Sequence, residues 1–126
     1  MMNPPDNTVS EKWGEAADDG FQALPHAFFT HYAALGLSPS GFVVLVHLLD
    51  YWWLSEKLPY IGTKRLADKT GMSQRTVQRS LQELERIGFA VRQRDKETGR
   101  TLYQFDGLVA RLNLLVRQEK EKPRRK

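Results

Sequence analysis

Residues 63–88, TKRLADKTGMSQRTVQRSLQELERIG, decide the fold. Gly71-Met72-Ser73 splits the stretch into two helical runs. In the second run Val77, Leu81, Leu84 and Ile87 recur at steps of three and four, which draws an apolar stripe along one side of a helix. Ser73 offers a capping hydroxyl at its start, and Gly88 ends it. In the first run Thr63 is expected to cap, Leu66 and Ala67 face inward, and Met72 fills the turn. With the stripe seated on a core, the opposite side of the second helix displays Gln74, Arg75, Gln78, Arg79, Gln82 and Arg86.

Downstream, residues 89–94 and 101–105 read as two strands around the polar turn Asp95-Lys96-Glu97-Thr98-Gly99-Arg100. Phe89, Val91, Leu102 and Phe105 are the expected inward residues of this antiparallel hairpin. From Gly107, the residues Leu108, Leu112, Leu115 and Val116 continue as a last helix, and residues 118–126 form a basic tail. Upstream, a short helix is expected over residues 25–34, stopped by Gly36. Ser38-Pro39 then opens a helix to about residue 54 that is apolar on nearly all sides, with Trp52 and Trp53 assigned to the core. Pro59-Tyr60-Ile61-Gly62 suits a short edge strand. Residues 1–20, polar and acidic with Pro4, Pro5 and Gly20, read as a flexible acidic leader. The expected organisation is therefore a leader (1–20), one domain with flanking helices (21–117) and the tail (118–126). Three helices followed by a hairpin, in this order, make a mainly α fold with a small antiparallel hairpin: a winged helix-turn-helix.

Composition narrows the function. The chain has no cysteine, so disulfides and thiolate metal sites are closed, and His26, His31 and His47 show no zinc-ligand spacing. Neither a metal nor another cofactor is expected. No nucleophile–base–acid set and no glycine-rich phosphate loop is visible, which argues against an enzyme. Tyr51, Tyr60 and Tyr103 lack a metal-holding histidine pair nearby. The first residues show no apolar export signal and no run of about 18 apolar residues exists, so a non-membrane, cytoplasmic protein is expected.

Charge is the positive signal. Residues 1–58 hold two Lys/Arg against seven Asp/Glu, residues 59–105 ten against five, and residues 106–126 seven against three. The excess of cations begins where the two-helix stretch begins, as a polyanion partner requires. Arg can bridge guanine O6 and N7 and Gln can match adenine N6 and N7 in the major groove, so Gln74, Arg75, Gln78 and Arg79 are candidate base readers. Lys64, Ser73 and Thr76 sit at helix starts and suit phosphate. Arg94, Lys96 and Arg100 (with Arg92 beside them) would place a basic hairpin along the backbone or the minor groove. Double-stranded DNA is the expected partner. A protein-binding adaptor is the competing reading, since winged helices can present the same surface to proteins.

Two stretches, LGLSPSGFVVLVHLLDYWW and YIGTKRLADKTGMSQRTVQRSLQELERIGFAVRQRD, resemble the winged-helix domains of plasmid and phage replication initiators and related bacterial regulators. The shared features are Leu66-Ala67, Gly71-Met72-Ser73, Arg75-Thr76-Val77-Gln78-Arg79, and Leu81 and Leu84 before Gly88. The likeness covers about residues 21–105. It implies DNA contact at Ser73, Gln74, Arg75, Thr76 and Arg79, and a wing at residues 96–100. It further implies a sequence-specific DNA-binding role in replication initiation or control, with transcriptional regulation as the alternative, at the nucleoid or on a plasmid. It also implies contact with replication or transcription machinery, and homodimers built on segments such as residues 107–116 and 21–32.

Overall fold

The computed structural model describes residues 6–121. Residues 1–5 of the expected leader and residues 122–126 of the expected tail lie outside them. The leader, expected as flexible, carries helix α1 (Asp6–Trp13) and a 3-10 turn, Gly14–Ala17. Val9 of α1 is buried but stands apart from the main core, and Trp13 is exposed.

The helix expected over residues 25–34 is broken at His31 into α2 (His26–Thr30) and α3 (Tyr32–Leu35). Phe28 is fully buried and meets Phe42 at 5.6 Å between ring centroids, while Tyr32 meets Phe42 edge-on at 5.1 Å. The segment before α2 is tied down where Gln22 Nε2 donates to the Val46 carbonyl at 3.1 Å.

Helix α4 (Pro39–Leu49) begins as its sequence dictates: Ser38 Oγ accepts from the Gly41 amide and Pro39 occupies the first turn. It ends sooner than residue 54. The chain turns after Leu49, with the amides of Tyr51 and Trp52 donating to Leu48 and Leu49 carbonyls. That turn lets Trp52 lie against Phe105 at 5.0 Å, and it throws Trp53 outward, 79% exposed. Trp53 is therefore not a core residue.

Helix α5 (Thr63–Thr70) is capped by Gly62 backbone alone, so Thr63 is its first residue and not its cap. At the other end Thr70 Oγ1 donates to the Leu66 carbonyl at 2.7 Å and accepts from the Met72 amide at 3.3 Å, which closes the turn into α6 (Gln74–Arg86). Ser73 Oγ accepts from the Thr76 amide at 3.1 Å. Val77, Ser80, Leu81 and Leu84 are the buried stripe of α6. The helix stops at Gly88, where φ is +83°: the Gly88 amide bonds the Glu85 carbonyl and the Phe89 amide bonds that of Leu84. A left-handed residue is required there, and buried Phe89 against buried Leu84 completes the cap.

Strands β1 (Val91–Arg94) and β2 (Thr101–Gln104) pair antiparallel, Val91 opposite Gln104. Side chains alternate across a strand, so Tyr103 and Phe105 share the inward face and are buried, whereas Leu102 is only half-buried. Residues 59–62 form no strand, but the Pro59 carbonyl accepts from the Tyr103 amide at 3.0 Å, so this segment still borders the sheet. Helix α7 (Asp106–Glu121) buries Leu108, Leu112 and Leu115 and continues past residue 117, where Glu119 Oε2 stands 2.9 Å from His31 Nε2. A Cβ on Gly107 would overlap the Gly88 carbonyl oxygen, so the start of α7 abuts the end of α6 through two glycines. Residues from α2 to α7 and the hairpin share one hydrophobic core. The architecture is the expected one: mainly helical with a two-stranded antiparallel wing.

Candidate nucleic-acid interface

Helix α6 rests on α4 and α5 through its stripe, and this fixes which of its side chains reach solvent. Gln74, Arg75, Gln78 and Arg79 are all exposed, together with Gln82 and Arg86. Thr76 is half-buried, because its amide and hydroxyl both engage Ser73: Ser73 Oγ donates to Thr76 Oγ1 at 3.0 Å. Ser73 is exposed, yet its hydroxyl is already committed to capping. Lys64 lies exposed in the first turn of α5, on the other side of the turn from Ser73.

The wing is a fixed structure. Asp95 accepts from the Glu97 amide at 3.1 Å and from Thr98 Oγ1 at 2.8 Å, and its backbone pairs with Arg100 and Gly99. Gly99 takes φ of +73° at the tip. Arg94, Lys96 and Arg100 are exposed around this knot. Arg100 is held further, its guanidinium 4.1 Å from the centre of the Tyr60 ring.

Carboxylates near these cations are engaged elsewhere. Glu83 Oε1 accepts from Ser38 Oγ at 2.8 Å and fills the space beside Gly41 where a Cβ would overlap it. The carboxylate thus sits against the positive end of α4 and joins α6 to it. Glu85 takes the Arg92 guanidinium at 2.8 Å and the Arg92 amide at 3.1 Å. Hydrogen bonding to Arg92 lowers the Glu85 pKa, and the same bond raises that of Arg92. Burial raises the Tyr103 phenol pKa. Among the described residues the ion pairs are Arg92–Glu85 and His31–Glu119. Among the described residues Lys64, Arg75, Arg79, Arg94, Lys96 and Arg100 therefore form no ion pair. Arg92, a flanking cation in the sequence, is instead a strut between α6 and β1.

The chain matches the DnaD N-terminal domain over residues 24–123. It belongs to that family. A crystal structure of the N-terminal domain of DnaD protein from Geobacillus kaustophilus HTA426 superposes with a TM-score of 0.62 at 20% identity, covering 94% of each chain. At that identity the likeness establishes the shared fold of the DnaD N-terminal domain, winged-helix in kind. The PcaV transcriptional regulator from Streptomyces coelicolor, in complex with its natural ligand, gives 0.45 at 16% identity over 94% of this chain and 85% of the other. That looser likeness bears no weight. No curated protein matches the sequence. DnaD N-terminal domains are non-enzymatic, and the described residues hold no cluster of metal-ligating side chains. No helix among them is long and apolar enough to cross a membrane.

A second group of exposed residues went unread in the sequence. Trp53, Leu54, Lys57, Tyr60 and Arg65 line a cleft of about 430 Å³ between the end of α4 and α5. The signal was there in YWWLSEKLPYIGTKR, where aromatic and basic residues interleave, but assigning the tryptophans to a longer α4 concealed it.

Proposed function

We propose that this domain is a replication-associated module that contacts double-stranded DNA, with the N-terminal end of α6 in the major groove and the wing on the backbone. Its family is one of bacterial replication-associated proteins. The observation that carries the reading is the set of unpaired cations, Arg75, Arg79, Arg94, Lys96 and Arg100, on two elements held rigidly by the core. Gln74, Gln78, Arg75 and Arg79 would meet base edges, while Lys64, Ser73, Thr76 and the wing would position phosphates. Initiation or control of replication, with sequence preference, is the finer form of this reading. Family membership favours a role in replication over one in transcriptional regulation.

Binding to a random-sequence duplex across salt is the test. Neutralising about four phosphates weakens affinity roughly 100-fold between roughly 50 and 200 mM salt. Absence of binding at low salt would overturn the reading in favour of a protein-binding adaptor. Selection of duplexes from a random pool then separates the finer forms: a palindrome indicates a symmetric dimer, tandem repeats indicate origin binding, and no enrichment removes sequence preference.

Exposed apolar residues support self-association as a second property. Phe21, Phe29 and Tyr32 lie on the N-terminal segments, and Val109 and Leu114 lie on α7. Sedimentation equilibrium across concentration, with Phe29→Glu as the disrupting variant, tests it; a monomer at all concentrations would rule it out.

A further inference from the structure

We infer that the cleft between the α4 end and α5 is a binding site for single-stranded DNA, distinct from the duplex face. Three features of the cleft carry this. The first is stacking surface: Trp53 is 79% exposed and Tyr60 50% exposed, although large aromatic rings ordinarily bury most of their area in a core. Both lie on the loop that leaves α4, which also supplies exposed Leu54. The second is charge. Lys57 and Arg65 are the charged residues of the lining, and both are cations. Around the rim, Lys69 stands 5.5 Å from the Tyr51 ring and Arg100 lies 4.1 Å over the Tyr60 ring. The third is shape: about 430 Å³ of open cleft falls in the size range of sites that enclose small organic groups.

Rings with open faces among cations are what an unpaired strand needs. Each base offers a π-face to an aromatic side chain, and the phosphates between bases follow the positive side chains. A duplex offers phosphates but no open base faces, because its bases are stacked on one another. A protein partner seeking an apolar anchor would find cations and no carboxylate among the lining residues. The Tyr60–Arg100 stack joins this cleft to the wing, and Lys64 and Arg65 are neighbours on α5. The cleft therefore adjoins the duplex face and shares Arg100 with it, while its lining residues Trp53, Lys57, Tyr60 and Arg65 belong to the cleft alone.

This inference stands apart from the duplex reading, and one set of titrations separates them. The full chain is titrated against a fluorescent oligothymidylate of about 15 nucleotides, the matching oligouridylate, and a mixed-sequence duplex. The variants are Trp53→Ala, Arg65→Glu and Arg75→Glu/Arg79→Glu, all at exposed positions, with melting curves confirming that each is folded. Trp53→Ala and Arg65→Glu should each weaken oligothymidylate binding about tenfold while duplex affinity changes less than about threefold, and Trp53→Tyr should restore most of the loss. Arg75→Glu/Arg79→Glu should show the opposite pattern. Unchanged oligothymidylate affinity in Trp53→Ala, equal losses on both substrates, or tighter binding of oligouridylate than of oligothymidylate would each overturn the assignment.

Discussion

The two ends of α6 serve opposite purposes. At its start, Gln74, Arg75, Gln78 and Arg79 project into solvent with no internal partner. Toward its end, Glu83 is bonded to Ser38 and Glu85 to Arg92, and Gly88 lies against Gly107. One end is fastened and the other is presented. The difference teaches that net charge alone does not mark an interface. Glu83 and Glu85, which join α6 to its neighbours, are engaged, whereas Arg75 and Arg79 at the start of α6 and Arg94, Lys96 and Arg100 on the wing form no ion pair among the described residues.

Breaking the presented end should have the largest effect. Arg75→Glu/Arg79→Glu is expected to reduce duplex affinity about 100-fold or more, because two attractions become repulsions beside phosphate. Its thermal midpoint should stay close to that of the parent protein, since neither side chain has a partner to lose. Fluorescence anisotropy and a melting curve read both effects.

The fastened end should fail in the converse way. Gly107→Ala places a methyl group where the Gly88 carbonyl lies, and backbone cannot yield as a side chain can. A loss of about 2 kcal/mol in urea unfolding is expected. Glu83→Ala removes the link to Ser38 at the α4 start and should cost about 1 kcal/mol. Duplex affinity of either folded variant should differ little from that of the parent.

The smallest effect sharpens the comparison by pH. The hydrogen bonds from Arg92 lower the Glu85 pKa below its ordinary 4.5. Such a group adds stability above that ordinary value and loses it as pH falls through the lowered folded value. The pair is well exposed, so its contribution is below about 1 kcal/mol. Glu85→Gln should therefore lower the urea midpoint slightly at neutral pH and narrow its difference from the parent near about pH 3. An equal gap at both pH values would show that the ion pair contributes nothing.

The local sequence was informative wherever one residue's chemistry sets the backbone. Ser38-Pro39, Ser73 and Gly88 mark helix ends because capping and left-handed conformations are local properties. The stripe of α6 was legible for the same reason. Features set by contacts between distant segments were not. Nothing in the neighbourhood of residue 49 announces that α4 stops there; the turn is stabilised by Trp52 against Phe105, far along the chain. The choice of Tyr103 over Leu102 as the inward residue follows from strand phase relative to Phe105, which apolarity alone does not reveal. Glu83 gave no sign of its bond to Ser38, a partner 45 residues away. The site residues chosen on α6 and the wing all come to the surface, Thr76 only in part. The aromatic cleft escaped notice because a wrong helix end hid it.

The central claim is that the presented end of α6 and the wing touch duplex DNA while the fastened end does not. Titration of isotope-labelled protein with a short duplex, followed by amide NMR, tests it residue by residue. The account predicts the largest shift changes at residues 73–79 and 94–100, with residues 83–88 nearly still. Changes confined to α1, α2 and α7, or strongest around Glu83 and Glu85, would contradict it.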